Sequence, residues 1–318
     1  MRTFLAQCIL DLIIWSYTSG KVARLLSRIL IPLRRFWVRA ANDPEVRYKF
    51  FGKIVTLNLS HDLPINRAVA PQYATNLIDI STLLQSKYPS LHCIDIGANI
   101  GDSAIIIDAH VSCPILCIEG EERYFSFLQR NTNEIKNIVP VKSFLYTYQG
   151  ELEGRFQIRH GTANFLTESE ELYSIPVDTL ENILNKHPEF EGAKLLKIDT
   201  DGMDTLILKS AMKWIEHSKP VIFTEYDPSL LTLYDTDYRS IFRELSAAGY
   251  SVAVVYSNYG DYLLTVDVTW NNFLDDLHAL ITMQRTNLVY FDFCFFHEED
   301  ADIASQLRLQ YLSEETRT

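Results

Sequence analysis

From residue 92 onward the chain alternates short apolar runs with amphipathic stretches. Residues 92–96 form a first run, followed by a helix over about 100–109. Residues 114–118 form a second, followed by a helix from Tyr124 to Thr132 with Phe125, Leu128 and Gln129 turned toward the core side. A third run spans Ile138 to Phe144, a fourth Lys194 to Asp199 and a fifth Pro220 to Glu225. Tyr238 to Ala248 reads as a helix ended by Gly249, and Ser251–Tyr256 and Leu288–Phe296 are the last long strand candidates. Strands apolar on both faces and separated by helices predict an α/β fold with a doubly wound, mostly parallel sheet. Residues 152–177 break the rhythm with extra strands at Arg155–Ile158 and Ser174–Val177, and Asp178 is placed to cap a helix through Leu184. Residues 298–318 read as a solvated terminal helix.

Upstream, residues 1–40 are helical and amphipathic, with Leu, Ile and Trp interleaved with Arg24, Arg28, Arg34, Arg35 and Arg39. Such a segment can lie on an anionic membrane surface or dock a partner. The simpler reading, favoured by the sequence, is a helical cap packed on the core with its arginines solvated. Residues 53–59 alternate like a strand, turn formers break up the stretch to Pro71, and Asn76 to Tyr88 forms an amphipathic helix. No repeat or low-complexity linker interrupts the chain, so the expected organisation is an extension at 1–75 and one catalytic domain at 76–318.

Candidate chemistry gathers where the first two runs end. Asp95-Ile-Gly-Ala-Asn-Ile-Gly101 is a strand, a tight turn and a helix start, and Gly97 and Gly101 let backbone approach a ligand at a helix N-terminus with unpaired N–H groups. Glu119 closes the second run, where an acid can hold two ribose hydroxyls. A dinucleotide fingerprint needs a glycine where Asn99 stands, and a pyrophosphate would be repelled by Asp95. A methionine ammonium is attracted by the same carboxylate, directly or through water. The pair therefore points to S-adenosylmethionine (SAM). The candidate cofactor residues are Asp95, Gly97, Ala98, Asn99, Gly101, Asp102, Ser103, Glu119, Gly120, Phe144 and Asp199. In SAM enzymes of this architecture the final strand runs antiparallel.

Composition narrows the partners. The chain has 318 residues, 47% of them hydrophobic, and a formal net charge of −12, which disfavours a nucleic-acid partner held by a broad basic surface. Residues 1–50 nevertheless carry nine Lys/Arg against three Asp/Glu, leaving −18 for the rest. The five cysteines form no C-x-x-C pair and three lie in or beside strand-like runs, which fits buried thiols in a reducing compartment. The best apolar run, Phe4 to Tyr17, is interrupted by Gln7 and Asp11 and falls short of a membrane span. The expected location is the cytoplasm, peripheral to a membrane if residues 1–40 meet lipid.

The ordered motifs resemble the FkbM-type SAM-dependent methyltransferases. The matching pieces are Asp95-Ile-Gly-Ala-Asn-Ile-Gly101, Cys117-Ile-Glu-Gly-Glu121 with Phe127-Leu-Gln-Arg-Asn131, and Val177-Asp-Thr-Leu180. The clearest is Leu196-Lys-Ile-Asp-Thr-Asp-Gly-Met-Asp204, with Phe223-Thr-Glu-Tyr-Asp-Pro228 behind it. Asp292 to His297 is similar to the closing strand of some members. The resemblance implies a Rossmann-like class I methyltransferase fold and O-methylation, often of sugar hydroxyls in polysaccharide, glycolipid or secondary-metabolite pathways. Many members carry Glu at the positions of Asp201 and Asp204.

Methyl transfer to an alcohol needs an aligned oxygen and a proton acceptor. Asp199 and Asp201 follow the fourth strand and are the first candidates for the base; clustered carboxylates raise one another's pKa. His160, in the insertion with Gly161 and Asn164, is a second candidate. Glu225, with Tyr226 and Asp227, is placed to contact acceptor hydroxyls, while Asp204 suits a helix N-terminus. The Asp-x-Asp-x-x-Asp spacing is compatible with Mg²⁺ or Ca²⁺, but the reading assigns no metal ligands. The acceptor is expected to be a glycan or small molecule; a protein or lipid acceptor, or a non-catalytic scaffold, are the alternatives. His297 reads as structural and the Tyr256–Tyr262 segment as a hairpin turn.

Overall fold

A computed structural model describes residues 2–159, 161–167, 171–235, 237–269, 272–283 and 288–315. Three helices come first, α1 (Arg2–Thr18), α2 (Lys21–Arg24) and α3 (Ser27–Ala40). A hairpin of β1 (Glu45–Phe50) and β2 (Lys53–Asn58) follows. Its two-residue turn, Phe51-Gly52, has both φ angles positive at 41° and 79°, which matches the twist of the flanking strands. Helices α4 (Leu63–Val69) and α5 (Asn76–Lys87) then lead into the main sheet.

The parallel half is laid down by β3 (Cys93–Ile96), α6 (Asp102–His110), β4 (Ile115–Glu119), α7 (Glu122–Thr132) and β5 (Ile138–Lys142). A second, four-stranded sheet interrupts it: β6 (Phe144–Leu145), β7 (Gly150–Arg159), β8 (Thr162–Leu166) and β9 (Tyr173–Asp178). Helix α8 (Leu180–Lys186), β10 (Leu195–Ile198), α9 (Asp204–Ser218) and β11 (Val221–Tyr226) resume the alternation. The chain closes with α10 (Pro228–Tyr234), α11 (Ser240–Ala247), β12 (Tyr250–Ser257), β13 (Tyr262–Asp267), α12 (Phe273–Thr282), β14 (Phe291–His297) and α13 (Ala301–Glu315).

The eight-stranded sheet has the order β13-β12-β14-β11-β10-β3-β4-β5. Neighbours from β11 through β5 are parallel, and β14 lies antiparallel between β11 and β12. This is the doubly wound, mostly parallel sheet expected, antiparallel closing strand included. Every residue of β3, β4 and β10 is buried because helices cover both faces. One core contains Leu84, Ile105, Leu128 and Ile303; the other contains Leu184, Ile207, Leu245 and Leu277.

Several expectations need correction. The α8 cap is Thr179, whose hydroxyl accepts from the Asn182 amide at 3.3 Å; Asp178 instead accepts from the Thr179 amide and the Asn182 side chain. The third strand ends at Lys142, and Phe144 begins the second sheet. The terminal helix is not simply solvated, since Ile303, Ala304 and Leu307 are buried. Arg34 is not solvated either: it donates to the carbonyls of Leu59 (2.6 Å) and His61 (3.0 Å) and pairs with Asp62 at 2.7 Å. Four of the five free cysteines are buried, and the Cys93 and Cys113 sulfurs lie 3.6 Å apart.

The N-terminal elements share the first core, through Ala6, Leu10, Val46 and Phe50. Asn131 of α7 fastens them to the sheet. Its carbonyl accepts from the Thr56 amide at 2.8 Å, and its amide donates to Thr56 (3.0 Å) and Ile100 (2.9 Å). Replacing it would strand three part-buried backbone groups. Asn131→Ala is expected to destabilise the protein by about 2–4 kcal/mol, read as a lower urea midpoint at unchanged m-value; no change would show that the bridge carries no stability.

Candidate active site

Ligands of open α/β sheets sit beyond the carboxyl ends of the strands. Here Asp95 and Lys197 are register partners on β3 and β10. Both are buried, and the lysine Nζ lies 3.1 Å from Asp95 Oδ1 and 3.4 Å from Asp199 Oδ2. The turn after β3 winds through positive φ at Gly97 (74°), Asn99 (49°) and Gly101 (89°). A Cβ on Gly97 would lie 1.9 Å from the Asp199 carbonyl oxygen, so only glycine lets the two strand ends pass at this distance.

The amides of this turn are not open to a ligand as the sequence suggested. Gly97 and Ala98 donate to the Ile118 carbonyl, and Gly101 donates to Ala98. Asp102 accepts from its own amide and that of Ser103. The Asn99 amide donates to Glu119 Oε2 at 2.8 Å, and the Glu121 amide to Oε1 at 2.7 Å. These two bonds fix the Glu119 carboxylate at the tip of β4.

A cleft of about 60 Å³ opens beside it, lined by Gly97, Asn99, Glu119, Gly120, Phe144, Asp199 and Asp201, among others. The structure thus gathers seven predicted site residues around one space. Ala98, Gly101 and Ser103 are buried and do not line it. Asp95 and Asp102 interact electrostatically with Lys197 and do not line it either.

The β7–β8 hairpin roofs the cleft through Phe156 and Ala163. Phe144, Phe156 and Phe165 pack together with ring centroids 4.9–5.5 Å apart. Two polar ties hold the roof. The Ala163 amide donates to the Asp201 carboxylate, and Asn99 Nδ2 donates to the Gly161 carbonyl at 2.7 Å. Asn99 Oδ1 lies 3.3 Å from Nε2 of buried His61. Because the Leu63 amide donates to Nδ1 at 3.2 Å, the His61 proton sits on Nε2 and faces Asn99. His160, the second candidate base, lies outside the described residues.

A profile of the Methyltransferase FkbM domain matches residues 85–252, more than half of the chain. The chain belongs to the FkbM methyltransferase family. Among solved structures, the methyltransferase FkbM from Methylobacillus flagellatus KT is 18% identical over 51% of this chain and 39% of its own, with a TM-score of 0.37. This chain therefore spans less than half of that protein. M. jannaschii TYW2 in complex with AdoMet is 12% identical over 80% of this chain and 87% of its own (TM-score 0.38). A putative O-methyltransferase from Klebsiella pneumoniae is 13% identical over 70% and 80% (TM-score 0.38). No curated protein sequence matches the chain.

The matched domain is that of a methyltransferase, and the acids that line the cleft suit a cationic cofactor. Besides the acids, the Thr200 hydroxyl is buried in the cleft without a hydrogen-bond partner among the described residues. Burial pushes Glu119 up to about 7 and Asp204 up to about 6; burial and then Asp199 push Asp201 up to about 8. Burial alone would lower Lys197, but Asp95, Asp199 and Asp102 outweigh it and hold the ammonium above the ordinary lysine range. Burial and neighbouring acids likewise raise Glu225 and Asp292, which face each other across β11 and β14. Tyr73 and Tyr290 lie close enough to Asp292 and Asp199 to interact electrostatically; these tyrosines, Asp292 and Glu225 do not line the cleft.

The expectation that Tyr226 and Asp227 join Glu225 in contacting an acceptor needs correction. Tyr226 is buried, and Asp227 caps α10 by accepting from the Ser229 amide at 2.8 Å, so neither is free for an acceptor. Asp204 ties the turn after β10, accepting from Thr200 (3.2 Å) and Gly202 (3.1 Å). Asn258 and Gly260 serve the β12–β13 turn: Asn258 accepts from Val289, and Gly260 packs on the backbone of Gln72. Sequence reasoning missed Lys197, His61, Tyr73, Tyr290 and Asp292 as site residues. Lys197 left a signal, a lone cation inside an apolar central strand, and Asp292 opens the segment that resembles a closing strand. Among the described residues, no three His, Cys, Asp or Glu side chains converge in a way that could hold a metal ion.

Two outcomes follow for this site. Gly97→Ala is expected to destabilise the protein by about 3 kcal/mol or more, since both contact and φ are violated; a wild-type urea midpoint would contradict this. The second is a pH effect. Acids whose folded pKa is raised hold protons that the unfolded chain releases, so they contribute stability below about pH 4 that is lost as pH rises through about 6, 7 and 8. The cofactor-free enzyme is therefore expected to melt at lower temperature at pH 8 than at pH 6. Asp201→Asn should flatten that slope, and a slope unchanged by the substitution would assign the effect elsewhere.

Proposed function

We propose that the enzyme, with residues 76–318 as its catalytic domain and 1–75 as an extension, methylates a hydroxyl of a sugar or related polyol in surface polysaccharide, glycolipid or secondary-metabolite biosynthesis. The observation that carries this reading is the convergence of Glu119, Asp199 and Asp201 on one cleft, with a group of carboxylates and phenols in electrostatic reach of Asp199. Such a group, from Glu225, Asp292, Tyr73 and Tyr290, can accept and donate several hydrogen bonds to a polyhydroxylated acceptor.

When bound, the cofactor supplies a methyl group on a positively charged sulfur. The chain does the rest. Glu119, already oriented by two amides, has lone pairs left for the ribose hydroxyls. Phe144 lines the side where an adenine would rest. Asp95 lies behind the glycine turn, buried against Lys197, so it holds the strand ends in place and leaves the cofactor's ammonium to the acids that line the cleft. Asp201 takes the acceptor proton, its pKa of about 8 matching a base that works near neutrality. Asp199, held by Lys197 at 3.4 Å, orients the hydroxyl. A cleft of about 60 Å³ is far below the roughly 300–1,000 Å³ of ordinary ligand pockets. The β7–β8 roof must therefore withdraw for the cofactor to enter, breaking the Asn99 and Asp201 ties, and its return excludes water from the reacting atoms.

Calorimetry with S-adenosylhomocysteine and mass spectrometry of products from nucleotide sugars and glycans test this reading. Glu119→Gln is expected to weaken cofactor binding roughly tenfold to a hundredfold. Asp201→Asn is expected to lower kcat by about 10²–10⁴ with binding retained, and to abolish the rise of kcat with pH at or below about 8. Methylation found on nitrogen, or full turnover by both Asp199→Asn and Asp201→Asn, would sink it.

A further inference from the structure

Helix α1 buries Ala6, Ile9, Leu10 and Ile13 and α3 buries Ser27 and Arg34, yet both carry large apolar side chains on the face that points away. On α3, Ile29, Leu33 and Phe36 are 69%, 41% and 63% exposed. Their i, i+4, i+7 spacing sets them opposite buried Ser27 and Arg34. Phe4, Leu12 and Trp15 form a similar exposed stripe on α1, and Val22, Leu25 and Leu26 continue it through the turn between the helices. A monomer rarely leaves so many large apolar side chains of one segment in water.

Charge says what covers it. Arg28, Arg35 and Arg39 follow one another at i, i+7 and i+11 along the flank of the α3 stripe and are exposed or half-exposed. Arg35 and Arg39 also line a cavity of about 950 Å³ between α3, α4 and β7, whose other walls include Ile31, Val38, Ile65 and Ile158. Arg34 and Arg123, at the same cavity, are already committed, to Asp62 and Asp43. Arg35 and Arg39 form no ion pair or side-chain hydrogen bond among the described residues and keep their donors for a ligand. An apolar plane rimmed by arginines, on a chain whose other segments carry −18, is electrostatically matched to an anionic surface and turns the acidic remainder away from it. A second copy of the chain would oppose one basic face to another.

We propose that α1–α3 lie on an anionic lipid surface, with the apolar stripes in the headgroup–acyl boundary and an anionic lipid headgroup drawn between Arg35 and Arg39 into the cavity. No helix among the described residues is long and apolar enough to cross a membrane, so the contact is one of lying on the surface. Ile158, on the cavity wall, is the register partner of Ala163 in the roof of the catalytic cleft, so the lipid site and the cofactor site share the β7–β8 hairpin. The proposal does not depend on which hydroxyl is methylated.

Flotation of the full chain with vesicles of phosphatidylcholine, alone or containing phosphatidylglycerol, tests it. The protein is expected to float with the anionic vesicles, weakly or not at all with the neutral ones, and less at high salt. Ile29→Asp/Phe36→Asp should abolish flotation, and Arg35→Gln/Arg39→Gln should weaken it about tenfold or more. Unchanged thermal transitions would show that both variants fold. Three results would overturn the proposal: wild-type protein remaining lipid-free on anionic vesicles, both variants floating as wild type does, or a lipid-free oligomer that Ile29→Asp/Phe36→Asp dissolves.

Discussion

The buried pairing of Lys197 with Asp95 is the interaction on which the catalytic edge of the sheet depends. The two residues are neighbours in register, and the lysine also reaches Asp199. Removing charges from water is costly, and a buried ion is tolerated only when paired. One ammonium here offsets several carboxylates that would otherwise repel one another across the strand tips. That balance lets Asp95, Asp102 and Asp199 share a small volume; burial still raises Asp95 and Asp102 against the pull of Lys197, and it raises Glu119 and Asp201 to about 7 and about 8. Acidic crowding and basic strength at the site are thus two sides of one arrangement.

Much of this edge is legible in the amino-acid sequence. Strand tips are marked by the acid that ends an apolar run, so Asp95, Glu119, Asp199 and Glu225 fall on one rim from periodicity alone. The parallel half of the sheet is legible for the same reason, because strands buried on both faces are apolar throughout. What is not legible depends on pairing between distant segments. Glu45 to Phe50 alternates as clearly as its partner strand, but only the pairing with Lys53–Asn58 makes it a hairpin. His61 sits among turn formers, and its tie to Asn99 comes from tertiary contact. Tyr226 and Asp227 misled because a polar residue beside a site can be spent on a cap or a core. The glycine turn misled in the same way, its amides being satisfied by Ile118 and Glu119.

The N-terminal segment is built into the fold rather than appended to it. Arg34 gathers the carbonyls of Leu59 and His61, Asn131 clamps β2 to α7, and Gln7 exchanges hydrogen bonds with the Arg47 backbone. The outward face of α1–α3 is therefore held rigidly with respect to the catalytic edge, and the His61–Asn99–Gly161 chain runs from this segment to the roof of the cleft.

That chain has a different sensitivity from the acids it stands beside. Burial pushes His61 down to about 4, so its ring stays neutral and keeps its proton on the nitrogen that faces Asn99 throughout the range in which Asp201, Glu119 and Asp204 titrate. Mild acidification would consequently protonate Asp201, the base proposed above, and weaken its own tie to the Ala163 amide, while the Asn99 tie stays intact. The two ties of the cover thus respond to separate ranges of acidity: the one at Asp201 changes with the acids of the cleft, and the one at Asn99 does not.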